Sequence, residues 1–187
     1  MTKAILAAGA ALAALALPAA AQTPIRVGAF DSIELRGGGE VTVRHGREHR
    51  VTLISGDPAL ASFEVDRDGD LVIRPCRRSC RNQNLRVEVV TPELDAVAID
   101  GGGVIRTEGG FPARNSVALA VNGGGSLDAR SLRAANVAAA INGGGRIRTS
   151  PGRSLAAAIR GGGAVLYTGD PRTSVSISGG GTVSRDR

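Results

Sequence analysis

Val97-Ala98-Ile99-Asp100-Gly101-Gly102-Gly103-Val104-Ile105 returns four more times along the chain. It recurs as Leu119-Ala120-Val121-Asn122-Gly123-Gly124-Gly125-Ser126-Leu127 and as Ala139-Ala140-Ile141-Asn142-Gly143-Gly144-Gly145-Arg146-Ile147. The last two copies are Ala157-Ala158-Ile159-Arg160-Gly161-Gly162-Gly163-Ala164-Val165 and Val175-Ser176-Ile177-Ser178-Gly179-Gly180-Gly181-Thr182-Val183. The triplets start 22, 20, 18 and 18 residues apart. Before each triplet apolar residues stand at every second position, and another follows two positions after it, the period of a β-strand. Three columns result: Val97, Leu119, Ala139, Ala157, Val175; Ile99, Val121, Ile141, Ile159, Ile177; and Ile105, Leu127, Ile147, Val165, Val183.

Columns of this kind are what a parallel β-helix, or β-solenoid, requires. Successive coils stack at about 4.8 Å, so equivalent residues meet and inward columns become continuous ladders. The expected fold is all-β, with about 18–22 residues per coil. The Gly-Gly-Gly triplets then lie above one another at a corner, where the chain bends between faces and β-carbons would crowd neighbouring coils. Ile33, Leu35, Gly37-Gly38-Gly39 and Val41 repeat the same frame, so this early unit belongs to the same series.

Rival readings of the triplets fail on chemistry. In a helix, three consecutive glycines would cost about 3 kcal/mol against alanine in every repeat. A flexible linker has no reason to keep Ile, Leu or Val two residues past each triplet. A phosphate-binding loop needs Gly-Lys-Ser/Thr and a helix start, and neither follows any triplet.

Outward from the repeats, the chain divides at two places. Lys3, the apolar stretch Ala4 to Leu17, Pro18 and Ala19-Ala20-Ala21 form the series of a secretory signal, so residues 1–21 are expected to be removed before Gln22. That stretch is shorter than the roughly 20 residues needed to span a bilayer, and no transmembrane segment is expected in the mature chain. Residues 22–187 are expected to form a single domain, with residues 74–84 as a polar, basic excursion from the scaffold. Between Ile25 and Ile54, Ile33, Leu35, Val41, Val43, Val51 and Leu53 alternate with polar residues as short strands. Phe63 to Asp66 and Leu71 to Arg74 face each other across Asp68-Gly69, a hairpin signal. Leu85 to Thr91 resumes strand character before Pro92.

Composition excludes more than it assigns. Without Lys3, the only lysine, the 23 basic residues reduce to 22 arginines against 17 acids. Nucleic-acid binding would cluster those arginines among aromatic residues, but they are spread along the chain and the aromatics are only Phe30, Phe63, Phe111 and Tyr167. Cys76 and Cys80 are the only cysteines. In an exported protein they most simply close a small disulfide loop, with free thiols as the alternative. Zinc would need two further ligands, and a redox pair would be Cys-x-x-Cys at a helix start.

The outward positions of the repeat strands form a strip of small residues: Ala118 and Ala120, Ala138 and Ala140, Ala156 and Ala158, then Ser174 and Ser176. Asp100, Asn122, Asn142, Arg160 and Ser178 stand just before the triplets as a polar column, with Asn122 and Asn142 on adjacent coils. This face is the candidate binding or packing surface.

Several of these features occur together in one family. A signal segment, an early strand ending in a Gly-rich corner, the Phe63-Glu64-Val65 to Asp70-Leu71-Val72-Ile73 hairpin, the Val87 to Leu94 strand and the Gly-triplet repeats resemble the head GIN domain family. The resemblance covers essentially all of residues 24–187, and it implies a right-handed parallel β-helix in an exported bacterial protein with an adhesive or surface role. It also names an auto-transporter, whose C-terminal membrane barrel is not seen in the sequence through Arg187.

His45 and His49 are spaced H-x-x-x-H on a strand and turn, so they do not share a face as in helical metal sites. Asp66-Arg67-Asp68-Gly69-Asp70 lacks the glycine position and the twelfth acidic residue of a calcium loop. A β-helix polysaccharide enzyme would need two carboxylates on one face, whereas Asp95, Asp100, Glu108, Asp128, Asp170 and Asp186 fall in different columns. No catalytic residue, metal or cofactor is expected. The leading expectation is a non-catalytic envelope protein, periplasmic, surface-bound or secreted, that binds through a flat solenoid face. Its partner would be an envelope protein or an anionic polymer, since aromatics for stacking sugars are scarce. The alternative is a structural envelope component forming homo-oligomers through its faces or ends.

Overall fold

The computed structural model describes residues 22–76 and 84–186. The expected signal segment, residues 1–21, and the centre of the cysteine excursion with Cys80 lie outside the described residues.

The described chain is all strand and turn. Seven short strands come first: β1 (Thr23–Ile25), β2 (Ser32–Arg36), β3 (Glu40–His45), β4 (Arg50–Ser55), β5 (Ser62–Val65), β6 (Asp70–Arg74) and β7 (Arg86–Thr91). The repeats then supply β8 (Ala96–Gly101), β9 (Val104–Glu108), β10 (Arg114–Gly123), β11 (Ser126–Gly143), β12 (Arg146–Arg160), β13 (Ala164–Tyr167), β14 (Arg172–Ser178) and β15 (Thr182–Arg185). All fifteen belong to one sheet. It nearly closes on itself, barrel-like, because β11 and β12 each pair along two stretches on either side of a bend.

Two parallel ladders carry the repeats. In the first, β2, β8, β10, β11, β12 and β14 align so that Ile33, Val97, Leu119, Ala139, Ala157 and Val175 are successive partners, as are Leu35, Ile99, Val121, Ile141, Ile159 and, beside β12, Ile177. In the second, β7, β3, β9, β11, β12, β13 and β15 align Val87, Val41, Ile105, Leu127, Ile147, Val165 and Val183. Most of these apolar side chains are buried, and they face one another across the interior. Each fully buried Ile or Leu contributes about 1.5–3 kcal/mol relative to exposure, and this burial is the main stabilising term of such a sheet.

The sheet is mixed, where the sequence predicts a parallel β-helix with one hairpin across Asp68-Gly69. β1 with β4, β4 with β7, and β5 with β6 are antiparallel. For β5 and β6 the cause is local, since the tight turn across Asp68-Gly69 returns the chain antiparallel; β1 and β4, and β4 and β7, are separated by other strands in the chain and are brought together by the fold. In the turn between β5 and β6, Asp66 Oδ1 accepts hydrogen bonds from the Asp68 and Asp70 amides, each at 3.0 Å, and Gly69 takes φ +88°. Phe30, Ala61 and Leu85, in the connections between the short strands, are buried in the same core.

Candidate functional site: the alanine-lined face and its glycine corners

The corner sets the position of the face. Gly101, Gly123, Gly143, Gly161 and Gly179 all have φ between +115° and +133°, the left-handed region that side chains disfavour. They also pack backbone on backbone: a β-carbon on Gly143 would stand 2.6 Å from the Gly123 carbonyl oxygen. The third glycine of each triplet is crowded from inside, since a β-carbon on Gly145 would meet Val121 Cγ1 at 2.4 Å. The middle positions, Gly102, Gly124, Gly144, Gly162 and Gly180, differ from the sequence expectation, because nothing lies within 4 Å of a β-carbon built there. Two glycines of each triplet therefore meet the steric demand of stacking, and the middle one faces solvent.

Leading into these corners, β8, β10, β11, β12 and β14 turn their alternate residues outward. Ala96, Ala98, Ala118, Ala120, Ala138, Ala140, Ala156, Ala158, Ser174 and Ser176 line an open apolar groove of about 480 Å³. Register places Ala118, Ala138, Ala156 and Ser174 in one column and Ala120, Ala140, Ala158 and Ser176 in the next. Columns two residues apart lie roughly 7 Å from each other and steps between paired strands are about 4.8 Å, so the strip is long and narrow. Polar columns border it. On the corner side Asp100, Asn122, Asn142, Arg160 and Ser178 are successive partners. On the other side Asn136 accepts from the Ser154 hydroxyl at 2.8 Å and donates to the Asn115 carbonyl at 3.0 Å.

The second ladder presents an outer surface of paired charges. Arg44 lies 3.2 Å from Glu88 and 3.1 Å from Glu108, and Glu40 pairs with Arg86 at 3.3 Å and with Arg106. Asp128 accepts both Arg130 Nε and Nη2. Burial alone would raise the Asp128 carboxyl, but the hydrogen bonds from Arg130 and the charges of Arg130 and Arg148 hold it below the ordinary carboxylate value. Exposed pairs of this kind contribute little each, about 0–1 kcal/mol. Their effect is to consume charge on that surface and leave the alanine strip as the neutral one.

Several contacts of the N-terminal block were not legible in the sequence. Phe30 packs on His49 with ring centroids 4.8 Å apart, and Phe111 meets His45 at 5.6 Å, so both histidines serve as ring partners at the sheet margin. His49 Nδ1 also lies 3.4 Å from the Thr91 hydroxyl. Only an excess of Phe and His near strand ends could have signalled these pairs. Among the described residues no group of three or more His, Cys, Asp or Glu stands close enough to hold a metal, and no helix is long and apolar enough to cross a membrane.

Comparison with known proteins fits this architecture. Residues 29–120 and 112–171 match the family described as "Putative auto-transporter adhesin, head GIN domain". The crystal structure of a putative adhesin from Bacteroides fragilis NCTC 9343 is similar with a TM-score of 0.55 and 21% identity, covering 89% of this chain and 96% of that one. A putative adhesin from Parabacteroides distasonis ATCC 8503 is similar with a TM-score of 0.54 and 14% identity, over the same shares of the two chains. At these identities the likeness speaks for the fold. No curated protein matches. The matched segments span residues 29–171 and include four of the five regular Gly-Gly-Gly corners, and the chain belongs to the head GIN domain family.

Proposed function

We propose that the mature protein is an exported, non-catalytic surface-binding module of the adhesin type. Its chain winds as a right-handed parallel β-helix, and the alanine and serine face of that helix contacts the partner. The winding is supported by parallel registers that advance one repeat at a time from Asp100 to Asn122, Asn142, Arg160 and Ser178. Export rests on the signal series in residues 1–21, and the adhesive role on the family.

The observation that carries the binding site is the open groove floored by Ala118, Ala138 and Ala156 and their neighbours, on a sheet whose other outer surface is taken up by charge pairs. A floor without long side chains lets a partner approach the sheet closely, and Arg160 and Asn142 at its border supply donors for an envelope protein or an anionic polymer. The experiment compares binding of residues 22–187 to whole bacterial cells and to isolated envelope fractions for the wild type and two double variants. Ala138→Glu with Ala140→Glu is expected to abolish binding. Ala138→Arg with Ala140→Arg retains it if the partner is anionic and abolishes it if the partner is a close-fitting protein surface. Wild-type binding by both double variants overturns the assignment of the face.

A further inference from the structure

Each repeat's strand in the first ladder is covered by the strand of the next repeat, and β14 is where the covering stops. Among the described residues it pairs only with β12, as β15 pairs only with β13. Val175 and Ile177 occupy the two inward columns, and the Ala157 and Ile159 beneath them are buried. Yet Val175 is 47% exposed and Ile177 is 42% exposed, and Leu60 is the only other large apolar side chain so open among the described residues.

The other free edges of the sheet are blunted. β1 has three residues with Pro24 at its centre, β5 has four, with Glu64 paired to Arg74 at 3.3 Å, and β15 has four, with Arg185 paired to Asp170 at 2.6 Å. Short length, proline and charge are the usual defences of an edge. β14 has seven residues, no proline and no acid, and its single charge is Arg172 at the first position. Its outer backbone groups form a regular unpaired row beside two exposed apolar side chains.

We propose that β14 joins two copies of this chain, the strands running antiparallel about a two-fold axis at Ser176. In that register Val175 faces the partner's Ile177 and Ile177 faces the partner's Val175. Ser174 faces the partner's Ser178, and Ser176 faces its own counterpart. The period of two keeps inward residues opposite inward ones, so both apolar columns continue across the joint. Arg172 falls beyond the partner's strand, so no like charges oppose each other. The strand is thus its own complement. The opposite end of the core is closed by the β5–β6 hairpin and the antiparallel β1–β4 pair, so head-to-tail stacking finds no matching surface, and the contact closes at two copies rather than growing into a fibre. The two alanine faces become one sheet surface, twice as long, which gives any repetitive partner two adjoining stretches to hold. This assembly stands independently of what the face binds.

Light scattering with size-exclusion chromatography of residues 22–187 tests it. The wild type is expected at the mass of a dimer that dissociates on dilution. Val175→Lys and Ile177→Lys are each expected to halve the observed mass, with folding checked by circular dichroism, while Leu60→Lys leaves the dimer intact. The register has its own readout. Ser176→Cys is expected to form a disulfide dimer on non-reducing gels, because directly opposed residues bring their Cα atoms within about 4.5–5.5 Å. Ser174→Cys, opposite a serine, is not. A wild type that stays monomeric up to millimolar concentration overturns the proposal, as does a dimer indifferent to both lysine variants, or cross-linking by Ser174→Cys in preference to Ser176→Cys.

Discussion

Gly123 rests on Gly101: a β-carbon on Gly123 would stand 2.6 Å from the Gly101 carbonyl oxygen, and Gly123 already takes φ +115°. Gly123→Ala is therefore expected to cost at least about 1–3 kcal/mol from backbone strain alone. Gly124→Ala, one residue on, meets nothing within 4 Å and is expected to change stability by less than about 0.5 kcal/mol. Paired urea melts of the two variants check the contrast, and equal losses would remove the distinction between the two positions.

Leu35 locks the N-terminal block onto the repeats. It is fully buried, pairs in register with Ile99 on one side and Ile73 on the other, and its Cδ2 would lie 2.4 Å from a β-carbon on Gly103. Leu35→Ala is expected to cost about 2–5 kcal/mol, the range for a large core truncation. Thermal unfolding followed by circular dichroism measures it, and a loss below that of an exposed alanine variant would contradict the docking.

Acid stability should report Asp128 with a definite sign. Its folded pKa is depressed, so its contribution is present above the ordinary carboxylate value and is lost as pH falls through the folded value. Asp128→Asn is expected to be less stable than wild type at pH 7, with the gap narrowing in strong acid. Asp70 runs the other way. Burial raises its pKa, and Asp66, Asp68 and Glu34 add to that against a hydrogen bond from Ser32. Its contribution is present below the ordinary value and lost as pH rises through the folded one, so Asp70→Asn is expected to gain stability at neutral pH and to lose that gain in acid. Melting temperatures of both variants across pH decide the signs.

Under the proposed export, Cys76 and Cys80 are expected to be joined. Intact mass of the unreduced mature chain should then be lower than that of the reduced chain by two hydrogen atoms, and alkylating reagents should label neither cysteine before reduction. Full labelling of the unreduced protein would point to thiols instead.

How much of this was legible in the sequence follows from how local each signal is. The inward columns could be read because each residue's direction depends only on the strand period, and Ile99, Val121, Ile141 and Ile159 are indeed buried. The β5–β6 hairpin could be read because Asp68-Gly69 encodes its own turn. The partners of β4 could not: Val51 pairs with Val89 on one side and Ile25 on the other, and nothing within a few residues of Val51 encodes either choice. The openness of Gly124 was hidden for the same reason, since it depends on what the neighbouring coil leaves empty. Val175 and Ile177 match the pattern of every other repeat, and their exposure depends on which strands pair with β14, not on any residue nearby in the chain.

The order in which strands lean on one another also decides how the molecule would behave under load. Tension applied near Asp186 reaches β15 and β14 first, and these hold only to β13 and β12. They should peel away together, then the next repeat after them, each of 18 residues releasing roughly 60 Å of chain. Tension applied near Gln22 meets β1 tied to β4, β4 to β7, and β2 clamped between β6 and β8, so distant segments must part at once. Pulled from one side, the protein pays out in small increments; pulled from the other, it holds until it fails as a block. In the proposed binding role, the direction of anchoring would set whether the module yields or breaks.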